Sequence, residues 1–451
     1  MSKKLLLAGA AAVLLAGGAG GYFLLTDAAN AEVRAALERY KQDMPEDQTF
    51  DYANVSVNLS GATLNDVRHS WQTEKGPLVL DAESLTVADP VTDDTGKVTG
   101  FGSVAWTNAV ITNPLGARIE TAAGTAEDVI QPRVLRDGQM PMSALTFTDL
   151  TITKAGTNER ITVDSLESSG ITDHQVADLR LTGLVAETDQ TVKAGEITAT
   201  AIDLRALKKI GPQVTAQRVL QALGDRSAGT VTLNDLSVTQ PADRGGQTVA
   251  LDTLKLQHEV GDGNAMVLTI DSRGFSAPVE PGNDLAEFGL ERVTGDMSAV
   301  YAYSPAAGNL SIREVSLTLD ELGTLSGSIS LTGVPDPAGM GGQLQRSAMK
   351  VSLRDARLSW TDDGLMDKAF ERMAREQNVQ PAQARAQASQ NMSRAFDPQT
   401  AQAVRSFLEN GGTLEVTAQP AKPVPFQGIM MAAMMRPKAL RQGLNLQVQA
   451  N

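Results

Sequence analysis

The chain of 451 residues holds three histidines, His69, His174 and His258, and no cysteine. Without thiols there is no disulfide, no thiolate nucleophile, no Cys-ligated zinc or iron–sulfur centre and no acylated lipoprotein cysteine. The histidines stand alone, with no H-x-H or H-E-x-x-H pair to hold a metal. Ser168, Ser169, Asp173, His174 and Asp178 are the residue types of a hydrolase triad. Such a triad is assembled by tertiary geometry, and residues crowded into one short stretch read as a polar turn between strands. Gly274-Phe275-Ser276-Ala277-Pro278 lacks the last glycine of a nucleophile elbow, and Gly96-Lys97-Val98 lacks the rest of a P-loop. Asp93-Asp94 and Asp362-Asp363-Gly364 offer carboxylates without the spacing of a calcium loop, and Asp and Gly are preferred turn residues. Asp320-Glu321 falls at a strand end, where neighbours point to opposite faces. The expectation is a protein that is not an enzyme, with no catalytic residue, cofactor or metal site.

One segment has a distinctive physical character. Ile429-Met-Met-Ala-Ala-Met-Met435 places Met430, Met431, Met434 and Met435 in one run, followed by Arg436, Lys438 and Arg441. Methionine is flexible and polarizable, suited to irregular apolar surfaces. The run is too short to span a bilayer. It reads either as a core helix over a terminal sheet or as a contact for a membrane or partner through Met430, Met431, Met434, Met435 and Arg436.

The elements that position these residues are mostly strands. From about Phe50 to Trp360 the pattern is period-two alternation. In Leu145–Thr153 the apolar residues are Leu145, Phe147, Leu150 and Ile152, so the phase slips at Asp149 and predicts a bulge or tight bend. Val231–Thr239 slips at the same place, and Val351–Trp360 is a looser copy. The first two belong to an internal repeat, near 133–170 and 218–258, introduced by Arg133-Val134-Leu135 and Arg218-Val219-Leu220. Each continues into a second strand, Ile161–Leu166 or Val249–Leu254, and Ile312–Leu319 with Leu325–Leu331 forms a further pair. Repeated strand pairs predict stacked hairpins in an elongated sheet. A short helical stretch falls in Asp203–Leu223. After Trp360 helices are expected at Leu365–Gln377, at Gln380–Phe396 with Pro381 near its start, and at Pro398–Asn410, capped by Asp397 and stopped by Gly411-Gly412. Strands at Thr413–Ala418 and Leu444–Val448 follow.

Composition divides along the same boundary. The 39 basic and 53 acidic residues give a net charge of −14, which excludes a nucleic-acid surface, as does an aromatic content of 4%. Counting along the sequence, 32–363 is net −19 and 364–451 net +4. At the start, Lys3-Lys4 precede Leu5–Leu25, a stretch without charge that is long enough for a transmembrane helix. The positive flank places the N-terminus in the cytoplasm and the body outside. A leader cleaved near Ala31, at Ala29-Asn30-Ala31, is the alternative, although the apolar stretch exceeds an ordinary leader's. The expected organisation is 1–26 tip and anchor, 27–48 juxtamembrane helix and linker, 49–363 repetitive β-rich domain, and 364–451 helical region with closing strands. The fold class is mainly β with a smaller α+β C-terminal part.

An N-terminal anchor followed by strands of the form L-T-F-T-D-L-T-I and V-T-L-N-D-L-S-V resembles AsmA-like and TamB-like envelope proteins of proteobacteria. The likeness covers roughly residues 1–360 and rests on texture, with no invariant motif. It implies a long open β-groove with apolar lining that moves or organises lipid, from a single-pass inner-membrane protein with a periplasmic body. The helical, Met-rich C-terminal part departs from that pattern. Phe147, Ile152, Leu233, Val238, Leu317 and Leu319 are the expected lining, and phospholipid or another envelope protein the expected partner. The alternatives are a scaffold that binds an envelope protein through a sheet edge or the Met-rich helix, and, more remotely, an extracytoplasmic hydrolase.

Overall fold

The computed structural model describes residues 37–38, 41, 46–58, 60–73, 76–94, 98–130, 142–157, 159–172, 175–203, 229–261, 265–280, 282–335, 351–435 and 437–451. The anchor Leu5–Leu25, the leader site, most of the juxtamembrane helix, the helical stretch after Asp203 and both Arg-Val-Leu motifs lie outside these residues. No helix among the described residues is long and apolar enough to cross a membrane. The chain divides into two compact units, one of 1–213 with 236–246 and one of 214–235 with 247–451.

In the first unit the strands are β1 (Gln48–Asp51), β2 (Asn54–Val57), β3 (Gly61–Thr73), β4 (Gly76–Thr92), β5 (Val98–Thr112), β6 (Arg118–Ile130), β7 (Ala144–Thr153), β8 (Arg160–Ser169), β9 (Gln175–Glu187) and β10 (Thr191–Asp203). β1 and β2 both pair with β3, and from β3 to β10 each strand pairs antiparallel with the next. The strand β11 (Gly229–Thr239) contains the division between the units. The second unit continues with β12 (Thr248–Val260), β13 (Met266–Pro278), β14 (Arg292–Ser304), β15 (Asn309–Leu319), β16 (Gly323–Thr332), β17 (Ser352–Asp362), β18 (Gly412–Ala418), β19 (Val424–Pro425) and β20 (Leu446–Ala450). From β12 to β18 these are again antiparallel neighbours, with β19 beside β17 and β20 beside β18. The fold is mainly β and antiparallel, as the alternation predicts.

The phase slips are kinks at left-handed residues. Asp149 has φ 49° and Asp235 φ 53°, the region that Asp and Asn tolerate better than other side chains. Thr148 pairs with Ser165 and Leu150 with Val163, while Asp149 and the facing Asp164 drop out of the ladder. Side chains on both sides of the slip therefore share one face, which is why Phe147 and Leu150 are both buried. The device recurs on many strands: Asp66 on β3, Asp89 on β4, Asn108 on β5, Asp128 on β6, Asp149 on β7, Gly183 on β9 and Ala201 on β10, then Asp235 on β11, Gly274 on β13 and Glu314 on β15, all with positive φ. At Gly274 and Glu314 the register itself shifts, so these are bulges proper. Asn108 donates from its amide to Glu83 on the neighbouring strand, and the Gly274 backbone N–H donates to Asp296 Oδ1 at 2.8 Å. Facing strands break phase together, and the apolar face runs on past each kink.

Within the first unit that face is a packed core. Val67, Leu85, Val104, Phe101, Phe147 and Leu150 belong to one cluster of buried side chains, which Leu37 joins from the helical residues ahead of β1. Trp106 lies across its register partner Gly124, where a Cβ would fall 2.2 Å from the indole. The same ring meets Phe147 edge-on at 5.5 Å.

Among the described residues, apart from helical residues 37–38 and 41 and a 3-10 turn at Ala242–Arg244, the helices follow β13: a single turn α1 (Asp284–Glu287), then α2 (Leu365–Gln377), α3 (Pro381–Ala395) and α4 (Pro398–Asn410), and finally α5 (Phe426–Met435) and α6 (Pro437–Leu444). Asp397 caps α4 by accepting from the Thr400 N–H, and Gly411 at φ 71° ends it. The three helices α2 to α4 are an insertion between hydrogen-bonded neighbours, since Asp362 of β17 pairs with Gly412 of β18. The last strand begins at Leu446, two residues later than the alternation predicts, because α6 runs on to Leu444. Leu444 fits both periods, as a helical partner of Leu440 and as the first of the alternating Leu444, Leu446 and Val448. The left-handed Asn445 at φ 47° sets the boundary between them.

Candidate functional site

The second unit carries the same alternation without the same burial. Register places Leu254, Ser272, Met297, Leu317, Leu325, Trp360 and Leu414 opposite one another in succession, so they form a row across one face of β12 to β18. A parallel row contains His258, Leu268, Tyr301, Ile312, Ile329 and Ala356. Most of the apolar side chains in these rows are only half-buried, while Ser272 and His258 are buried. Met297 is 41% exposed and Leu358, which lies between Ala356 and Trp360 on the same face, 52%. An apolar sheet face needs cover from another layer. The opposite face is polar, with the ion pair Arg357–Glu415 at 2.6 Å and the hydroxyl pair Thr361–Thr413 at 2.9 Å.

Cover exists at one end of this face. The helix α4 packs on β20 and β18, burying Ala401 and Phe407. Ile429 of α5 packs against a small cluster built from Leu353, Ala418 and Leu444, beside Ile329, Leu331 and Leu446. Arg441 of α6 donates to Thr400 of α4 at 2.8 Å and pairs with Asp397, which ties the two helices together. From Leu358 back to Leu254 no helix of the described residues packs on the strands in the same way; α2 reaches the turns after β15 and β13, where Lys368 pairs with Glu321 and Arg372 with Glu287.

The expected lining residues separate. Phe147, 2% exposed, and Ile152 belong to the core of the first unit, where Phe147 packs against Trp106 and leaves no open surface. Leu233 and Val238 lie half-buried on either side of the Asp235 kink. Leu317 is half-buried between Met297 and Leu325, and Leu319 half-buried between Gly295 and Gly323, on the incompletely covered face. In the Met-rich segment, Met430 is 67% and Met431 56% exposed. Met434 and Met435 occupy the last turn of α5, and Arg436 lies outside the described residues.

The residues with hydrolytic potential are occupied structurally. Ser168 donates to the Leu145 carbonyl at 3.2 Å across the β7–β8 ladder, and Ser169 reaches Asp178 at 3.5 Å. Asp173 and His174 lie outside the described residues. Asp362 accepts from the Met366 N–H at 3.0 Å at the start of α2, Asp320 accepts from Thr294 at 2.7 Å, and Glu321 pairs with Lys368 at 3.3 Å. Among the described residues no group of acids and histidines is placed to hold a metal ion.

Sequence reasoning marks His69 only as an isolated histidine and does not anticipate its burial. It is 1% exposed on β3, lies 4.0 Å from the Trp71 ring and 5.7 Å edge-on from Phe50, and neither ring nitrogen has a hydrogen-bond partner. Burial pushes its pKa down to about 4, so the ring is neutral and behaves as a core aromatic. The one available signal is its place in the alternation Leu64, Val67, His69, Trp71.

Among protein families, a model described as an uncharacterized protein matches residues 316–451, the part with the helical insertion and the Met-rich helix. No curated protein matches the chain.

Proposed function

We propose that this chain is a non-enzymatic, membrane-anchored envelope protein that binds lipid acyl chains on the apolar sheet face of its second unit. The observation that carries the reading is the row from Leu254 through Met297, Leu317 and Leu325 to Trp360, half-buried and without a helical layer over its middle among the described residues. Leaving such a face to water costs about 25 cal/mol per Å² of apolar area, which an acyl chain would recover. Support also comes from the uncharged run Leu5–Leu25 after Lys3-Lys4, which suits a single span with the body on the far side. The resemblance to AsmA-like and TamB-like proteins points the same way, toward an inner-membrane protein with a periplasmic β-groove.

Native mass spectrometry of the full chain extracted in mild detergent tests this. The expected spectrum shows phospholipid adducts that Leu317→Asp with Leu325→Asp removes while the circular dichroism of the strands is retained. A lipid-free wild-type spectrum, or adducts indifferent to these substitutions, sinks the reading. A protein adduct lost with the same substitutions would favour the scaffold alternative.

A further inference from the structure

The helix α5 (Phe426–Met435) contains no charged residue and presents the exposed Met430 and Met431 to solvent, while Ile429 packs inward. A surface helix of a water-facing domain ordinarily carries polar residues on its outer side; one apolar on both sides needs an apolar environment on both. The sheet supplies the inner one through Leu353, Ala418 and Leu444. The surrounding sequence says what suits the outer one. From Val416 to Asn451 there is no Asp or Glu, whereas Lys422, Arg436 and Lys438 flank the helix, Arg441 being paired with Asp397 of α4. In a chain of net charge −14 this is a local inversion of sign, centred on exposed methionines.

We propose that α5 seats on the surface of a bilayer rich in anionic phospholipid, with Met430 and Met431 at the headgroup–acyl boundary and the flanking basic residues near the phosphates. A basic rim around an apolar helix is the pattern that binds anionic membrane surfaces, through buried area plus electrostatic attraction. Methionine suits the site because its unbranched thioether adapts to disordered chains. A second copy of the chain fits less well, since two such surfaces would bring basic rims together. The proposal takes from the preceding reading only the expectation that the chain works at a membrane, and its test reads α5 alone.

The absence of cysteine makes a direct test available. Met430→Cys in the full chain, labelled with an environment-sensitive fluorophore, is reconstituted into vesicles of phosphatidylcholine alone or mixed with phosphatidylglycerol. Leu115→Cys, 65% exposed in the turn after β5, gives the reference label. The expected result is a blue shift and a several-fold greater quenching by doxyl-labelled acyl chains at position 430 on the anionic vesicles. Salt and the pair Lys422→Glu, Lys438→Glu should each reverse it, with the label at 115 unchanged throughout. A label at 430 equally water-accessible on both vesicles overturns the proposal. So does quenching equal on both, or a shift that follows protein concentration without lipid, which would make the surface a contact between copies. Native-like circular dichroism of each labelled variant separates these outcomes from misfolding.

Discussion

Strands β3 to β9 and strands β12 to β17 are built by one device and end in different states. Both sets alternate, both kink at left-handed residues, on β3 to β7 and β9 in the first and on β13 and β15 in the second, and both present a mainly apolar face. In the first set the face closes into a core, with Val67, Val104 and Phe147 at 1%, 0% and 2% exposure. In the second, Leu254, Leu317, Leu325 and Trp360 stay half-buried and Met297 and Leu358 remain open, while burial on the same face is confined to residues such as Ser272, Ala299 and Tyr303. The alternation fixes which residues share a face; it does not fix what covers that face. Cover depends on tertiary partners such as Leu37, or Ile429 at the far end, which no local period encodes.

That contrast is testable by truncation. Phe147→Ala should cost about 3–5 kcal/mol, the usual loss for a buried aromatic. Leu317→Ala, on the half-buried face, should cost about 1 kcal/mol. Denaturant unfolding of both variants checks this, and equal losses would mean that the second face is covered in solution.

The next effect concerns His69, which belongs to the closed region. Its pKa of about 4 lies below the ordinary 6.5, so the unfolded chain binds the proton more readily. The neutral ring's contribution is complete above pH 6.5, declines as pH falls toward 4, and is lost below that. The decline amounts to about 3 kcal/mol from this group. His69→Phe should flatten the acid limb of a stability–pH curve. An unchanged limb would show that the ring is reached by water.

Smaller effects test whether the two regions share their kinks. Asp149→Val and Asp235→Val should each lose about 1–2 kcal/mol, because a β-branched residue is strained at positive φ. Asp149→Gly and Asp235→Gly should be nearly neutral. Thermal unfolding that shows the cost at one site only would break the equivalence of the repeats.

These residues also mark how much can be read in advance. The slip at Asp149 and its copy at Asp235 are legible because a change of phase in the apolar pattern requires a local break in the strand. The kind of break is not legible: register is kept around Asp149 and shifts around Gly274, and only pairing with the neighbouring strand decides which. The helices α2 and α4 are legible to the residue, since Gly364, Asp397 and Gly411 punctuate them. Phe147 and Leu317 are not separable in sequence, because both stand in strands of the same alternating pattern. Likewise Met430 and Ile429 are neighbours in an uncharged run, and only packing shows that one faces inward and the other outward. His69 is hidden because a histidine in an alternating strand carries no sign of whether its nitrogens will find partners.

The claim that the open face receives lipid is tested most directly by photolabelling. Vesicles containing phosphatidylcholine with a diazirine on its acyl chain are irradiated with the reconstituted full chain, and the modified residues are mapped by tandem mass spectrometry. The prediction is modification at Met297, Leu317 and Leu325, none at Phe147, and loss of the label in the Leu317→Asp, Leu325→Asp variant. Labels confined to Leu5–Leu25, with β12 to β17 unmodified, would contradict it.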